Sequence, residues 1–218
     1  MNILEKSRLN QTNFCNLFVI DNFYENPMEV RKLAIEQIEQ IECYKNSDNF
    51  PGKRSKPLAT EKHKEIFNKI LEPFFGKVIN FLILNDRERF CLSNGCFHCY
   101  TTNDIKGWVH VDDLFPNGTS WAAVIYLTPD APIKCGTKFL RYKDGNIIQS
   151  DEKVLNNSEN ILNDNHDYTK WEVVSTIGNV FNRLILYQSN QYHTCMDYFG
   201  KDINDGRLIQ IFFFNTER

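Results

Sequence analysis

The chain has 218 residues and a net charge of −3 with a pI near 6.0, which excludes the broadly basic surface that nucleic-acid binding normally needs. Hydrophobic residues make up 42% and charged residues 24%, ordinary for a globular protein of one domain with one sizeable core. Its 17 Phe, 9 Tyr and 3 Trp favour a β-rich core, because flat bulky side chains pack well on pleated surfaces.

In chain order, the opening MNILEKSRLNQTNF lacks the apolar stretch of a secretory signal. LFVIDNF (Leu17–Phe23) reads as a strand. A helix follows: Asn26 can cap it, Pro27 suits its first position and Glu29 sits where a capping-box carboxylate belongs. Val30, Leu33, Ala34, Ile38 and Ile41 recur at three- and four-residue steps, giving that helix one apolar face. The basic, turn-rich NFPGKRSKP, with Lys53, Arg54 and Lys56, reads as a solvated loop before a second helix that starts near Thr60 and carries Ile66, Phe67, Ile70 and Leu71. GKVINFLILN is too short for a membrane span and contains Lys77 and Asn80.

From Arg87 the texture changes to short strands punctuated by Asn94-Gly95, Asn117-Gly118, Asp144-Gly145 and Asp205-Gly206, dipeptides that hairpin turns favour. The predicted strands are Arg87–Ser93, Gly95–Thr101, Ser120–Leu127, Thr137–Tyr142, Val173–Ser175, Arg183–Tyr187 and Arg207–Asn215. SWAAVIYL is apolar on both parities, so this strand is expected to be buried on both faces. Residues 143–170 are polar and Asn/Asp-rich, a long insertion that could be mobile or form a lid. Helices followed by strands predict a mainly β, α+β domain. Its helical part covers about 1–86 and its β core about 87–218. Periodicity does not choose between sandwich and barrel. The 7 Cys, an odd number, fit reduced thiols, and with no leader or span the expected location is cytoplasmic.

The candidate chemistry starts at GWVHVDD, which contains His110-x-Asp112. In an extended strand, residues two apart point to one face, so imidazole and carboxylate can converge on one ion. His193 follows the strand-like NRLILYQS and would complete a facial set of two His and one carboxylate, the pattern of non-haem Fe(II) oxygenases, which leaves coordination positions open. Arg207, 14 residues beyond His193, opens the apolar strand RLIQIFFF. A guanidinium entering such a strand needs a partner, and a carboxylate paired through two parallel hydrogen bonds is a fitting one.

Taken together, His110-x-Asp112, a distal His193 and Arg207 on the next strand resemble the 2-oxoglutarate/Fe(II) dioxygenases, particularly their prolyl-hydroxylase-like group. FVIDNFYENPMEVRKLA is similar to that family's opening strand and helix, and NVFNRLILYQSNQYH to the strand entering its distal His. In YLTPDAPIKCGTKF, Gly136 and Phe139 fit its Gly-x-x-Phe pattern, while Cys135 departs from the second Gly of many relatives. Tyr100, ten residues before His110, and Tyr126, sixteen after it, fall where relatives place tyrosines beside the co-substrate.

The resemblance implies a double-stranded β-helix (jelly-roll) core with N-terminal helices packed on one sheet. It implies Fe(II) held by His110, Asp112 and His193, with 2-oxoglutarate held by Arg207 beside Tyr100 and Tyr126. It also implies hydroxylation of an unactivated C–H bond in an amino-acid side chain or small metabolite, with O₂ consumed and succinate and CO₂ released. Retention of Asp112 argues against halogenation. Oligomeric state and prime substrate, small molecule or peptide, stay open; Trp108, Trp121 and Pro51–Ser55 are candidates for the substrate mouth. Three other readings compete: a cupin-type jelly-roll metalloprotein that does not use 2-oxoglutarate, a non-enzymatic interaction protein, and an iron–sulfur site on Cys91, Cys96 and Cys99 with Cys135 downstream.

Overall fold

The computed structural model describes residues 17–39, 51–81, 94–104, 107–112, 119–150 and 159–217. In chain order its elements are β1 (Leu17–Ile20), α1 (Pro27–Glu39), β2 (Lys53–Arg54), α2 (Glu61–Phe75), β3 (Val78–Ile79), β4 (Phe97–Tyr100), β5 (Thr119–Tyr126), β6 (Thr137–Tyr142), α3 (Glu159–Asn163), β7 (Trp171–Ile177), β8 (Leu184–Gln188), β9 (His193–Cys195) and β10 (Arg207–Thr216). The predicted strand at Arg87–Ser93, Ile41 and the boundary near residue 86 lie outside the described residues.

Two antiparallel sheets form. The larger runs β1-β8-β5-β10-β4-β2, with β3 also on β10, and the smaller runs β7-β6-β9. The two-faced hydrophobicity of SWAAVIYL puts β5 between β8 and β10, and every residue from Ser120 to Leu127 is buried. Trp121, Ala123, Ile125 and Leu127 share one cluster with Ala34, Ile38, Phe67 and Leu71 of α1 and α2. Ala122, Val124 and Tyr126 join a second cluster with Ile185, Tyr187, Ile209 and Phe139, the last from the smaller sheet. The larger sheet thus has a helix-side face and an inter-sheet face, alternating at the period of a strand. No helix among the described residues is long and apolar enough to cross a membrane.

Several expectations change. On α1, Leu33 is 42% exposed while Arg31 is buried, donating from Nη1 to the Leu127 carbonyl at 2.9 Å; hydrophobic spacing could not reveal a guanidinium anchored on a strand end. Trp121 is fully buried and donates to Thr216 Oγ1, so it does not line a substrate mouth. Cys96 belongs to the inter-sheet cluster and Cys99 to the helix-side cluster. Thiols on opposite faces of one sheet do not converge on an iron–sulfur cluster.

Phe212 shows what holds the helix-side core. It is fully buried and its ring centroid lies 5.3 Å from Phe67, 6.0 Å from Phe81 and 4.9 Å from His63. Phe212→Ala is expected to cost about 3–5 kcal/mol, read from the urea midpoint. The deleted ring faces away from the smaller sheet, so metal binding by the folded fraction should persist.

Candidate metal centre

Residues 107–112 run in extended form beside β9. His110 and His193 exchange backbone hydrogen bonds of 3.0 and 2.9 Å as an isolated antiparallel bridge, which prolongs the smaller sheet by one position. Beyond it, the Asp112 amide donates to the Ser189 carbonyl at 2.7 Å and the Val109 amide to Asn165 at 3.0 Å. The two-residue step then brings the His110 and Asp112 side chains to one side, facing His193.

The ligand atoms of His110, Asp112 and His193 all lie within 4.8 Å of one another. His110 Nε2 is 3.7 Å from Asp112 Oδ1, and His193 Nε2 is 3.2 Å from Asp112 Oδ2. Each imidazole places Nδ1 2.9 Å from the carbonyl two residues before it, Trp108 for His110 and Gln191 for His193. With Nδ1–H donating there, both rings turn a bare Nε2 inward, the orienting arrangement typical of metal-bound His. His193 Nε2 and the Asp112 carboxylate at 3.2 Å can share a proton, or bind one metal cation in its place.

The electrostatics agree. Burial pushes the Asp112 carboxyl up, but His193, His110 and the Tyr187 hydrogen bond outweigh it and hold the group down at about 2. Burial alone would depress His193, and Asp112 reverses this, raising it; His110 is lowered by burial and by His193. Two nitrogens and one carboxylate suit a first-row divalent ion such as iron, with ligands on one side only.

Tyr187, which sequence reasoning missed, braces this group. Its hydroxyl donates to Asp112 Oδ2 at 2.9 Å and lies 3.1 Å from His193 Nε2, and its ring packs edge-on against Phe139. The only signal was parity: Tyr187 falls on the inter-sheet side of β8 with Ile185. Tyr187→Phe should lower metal affinity roughly 10–100-fold, as loss of an orienting partner does, measured by competition with a metal chelator. Unchanged affinity would show Asp112 to be held without it.

Arg207 opens β10 on the inter-sheet face and is 3% exposed. Its Nε donates to the Cys135 carbonyl at 3.3 Å, and among the described residues it makes no ion pair. Its guanidinium carbon lies 5.8 Å from the Tyr100 ring centroid and 5.5 Å from that of Tyr126. Tyr126 shares its hydroxyl with Thr137 at 2.7 Å, and Tyr100 stacks on Tyr198. Gly136 is required next to this wall, since a Cβ there would meet the Ile177 carbonyl at 1.9 Å.

A family model described as a family of unknown function, DUF6445, matches residues 5–214. The chain belongs to this family. Among curated proteins no sequence matches the DUF6445 chain. Solved structures do resemble it in fold. A prolyl hydroxylase from Trichoplax adhaerens, in complex with a hypoxia inducible factor oxygen degradation domain peptide fragment, superposes with a TM-score of 0.53 at 15% identity, covering 98% of this chain and 89% of that one. HygX from Streptomyces hygroscopicus, with nickel, 2-oxoglutarate and hygromycin B bound, gives 0.54 at 12% identity over 100% and 88%. SnoN, a non-heme alpha ketoglutarate dependent epimerase from nogalamycin biosynthesis, gives 0.60 at 12% identity over 99% and 84%. The DUF6445 chain therefore shares the jelly-roll-like fold of the 2-oxoglutarate-dependent oxygenases, including the prolyl-hydroxylase-like group.

The insertion of the DUF6445 chain departs from a loose excursion. Its described part folds against the ligand segment: Ile161 joins Val109, Leu140 and Trp171 in a third buried cluster, and Tyr168 donates to the Gly107 carbonyl at 2.9 Å. Ile161 was one of the few apolar residues in this polar text, and Trp171 stands immediately after it at the start of β7. His166, the other histidine downstream of Asp112, packs on Trp108 with ring centroids 5.9 Å apart and is not in the ligand group.

Proposed function

We propose that this chain is a non-haem Fe(II) oxygenase that uses 2-oxoglutarate and O₂ to oxidise a small-molecule or peptide substrate, with hydroxylation of an unactivated C–H bond as the outcome. The observation that carries this reading is the convergence of His110, Asp112 and His193 on the same inter-sheet side as a buried Arg207 with no ion pair among the described residues. In this reading α1 and α2 back the larger sheet and leave its other face to the chemistry.

Iron bound here would supply the activation of O₂ that accompanies oxidative decarboxylation of 2-oxoglutarate. The chain's own part is positioning. His110, Asp112 and His193 would hold the ion from one side and leave the other open. Arg207 would take the far carboxylate of 2-oxoglutarate through two parallel charge-assisted hydrogen bonds, against the walls made by Tyr100 and Tyr126. Phe139 packs against both His193 and Tyr187 and would cover that side of the ligand set. A cupin-type metalloprotein would share the ligand set but give the buried guanidinium no counter-charge. The reduced thiols of Cys96, Cys99 and Cys135 fit the cytoplasmic location included in this reading.

An anaerobic titration with Fe(II) and then 2-oxoglutarate is expected to develop a visible absorption band that needs both, followed by substrate-dependent succinate release in air. Product mass separates hydroxylation, which adds one oxygen atom, from epimerisation, which adds none. Metal binding with no response to 2-oxoglutarate would favour the cupin-type reading.

A further inference from the structure

The larger sheet carries a second set of polar groups on the inter-sheet face, beside Arg207. On β4, His98 and Tyr100 lie opposite Ile209 and Arg207 of β10, and on the outer side Arg54 of β2 lies opposite His98. Cross-strand partners share a face, so Arg54, His98, Tyr100 and Arg207 all lie on the inter-sheet face, the side on which His110, Asp112 and His193 converge. His98 feels the charges of Arg54, Arg207 and Asp112.

His98 is 3% exposed, and its buried Nε2 has no hydrogen-bond partner among the described residues. A buried polar atom left unpaired is costly and calls for an explanation. Its Nδ1 sits 2.8 Å from the Tyr100 hydroxyl. If Nδ1–H donated, both the phenol proton and Nε2 would lack partners; if the phenol donates to Nδ1, only an Nε2–H is left over. Burial, Arg54 and Arg207 all keep this imidazole neutral. It therefore presents one N–H donor next to a guanidinium, a pairing that selects an anionic acceptor.

We propose that the prime substrate is a small carboxylic acid whose carboxylate seats against Arg54 and His98. The assignment rests on the proposed use of 2-oxoglutarate, because that co-substrate already has both ends committed, one to Arg207 and one to the metal. The new position is distinct from Arg207: it lies one strand repeat along β10, roughly 6.7 Å, and Arg54 is two strand spacings across, roughly 10 Å. A third anion-recognising position is left for the molecule to be oxidised.

The test uses the full chain loaded with Ni(II) and saturated with 2-oxoglutarate, titrated calorimetrically with free amino acids and with their carboxamides as matched probes. At least one acid is expected to bind tenfold or more tightly than its amide. Arg54→Ala should weaken that acid roughly 10–100-fold, at least tenfold more than it weakens 2-oxoglutarate, and Arg54→Lys should recover part of the loss. His98→Gln, which keeps an N–H donor, should retain more acid affinity than His98→Ala. Acids and amides that bind alike across the panel, or a preference that survives Arg54→Ala, overturn the assignment. Failure of the wild-type protein to bind 2-oxoglutarate in the preceding titration would instead count against the oxygenase reading itself.

Discussion

His193→Ala is expected to eliminate iron-dependent succinate formation while the protein stays folded. The ring would supply one of three ligands and sits 3.2 Å from Asp112 and 3.1 Å from Tyr187, so its loss would remove a donor and also leave the carboxylate facing one imidazole instead of two. The affinity loss should exceed the roughly 10–100-fold cost of removing an orienting partner. The fold should survive because the bridge to His110 is made by backbone atoms. Iron content after dialysis, succinate yield and far-ultraviolet dichroism together check this. Turnover with iron still bound would move the distal ligand elsewhere, and His166, packed on Trp108, would be the next to change.

Arg207→Met should produce the second large effect, and it has a sign that ordinary destabilisation does not share. Two charge-assisted hydrogen bonds to a carboxylate, each about 1.5–3 kcal/mol, correspond to roughly a 10²- to 10⁴-fold loss of 2-oxoglutarate affinity. Without ligand, however, the wild-type protein bears the cost of a buried guanidinium that has no ion pair among the described residues, and replacing such a charge by an apolar side chain of similar volume is often neutral or stabilising. The variant should therefore melt at or above the wild-type temperature in plain buffer. It should lose the upward shift that 2-oxoglutarate gives the wild type. Metal affinity should hold. An unchanged 2-oxoglutarate shift would assign Arg207 a purely architectural part.

Legibility in the sequence followed how local each signal was. Thr137–Tyr142 was readable to the residue from its Gly136 boundary and buried Phe139, Leu140 and Tyr142, and β5 and β10 nearly so, because their burial is written in continuous apolar text. β1 ends at Ile20, short of the predicted Phe23, since Asn22 turns with φ of +57°. The three-residue β9 was invisible: HTC is too short to show any period, and it pairs only because β6 and His110 lie alongside it. Residue types and spacing pointed to His110, Asp112, His193 and Arg207, and the fold brings the first three together. Tyr187 and His98 could not be picked out, because each is placed only by a neighbour distant in sequence, Asp112 for the first and β10 for the second; Arg54 entered only within the candidate mouth Pro51–Ser55, with nothing local to set it apart from Lys53. Strand parity is the one clue that would have found them.

The bond from the Val109 amide to the Asn165 carbonyl ties coordination chemistry to a stretch of chain that looks dispensable. One residue before His110, the backbone is gripped from outside by the excursion between β6 and β7. Trimming that excursion to a short turn, a routine step in making compact variants, would untether the strand edge that aims His110 and thereby alter metal occupancy. Anything that binds or cuts near Asn165 would gain leverage over the candidate metal centre without touching His110, Asp112 or His193.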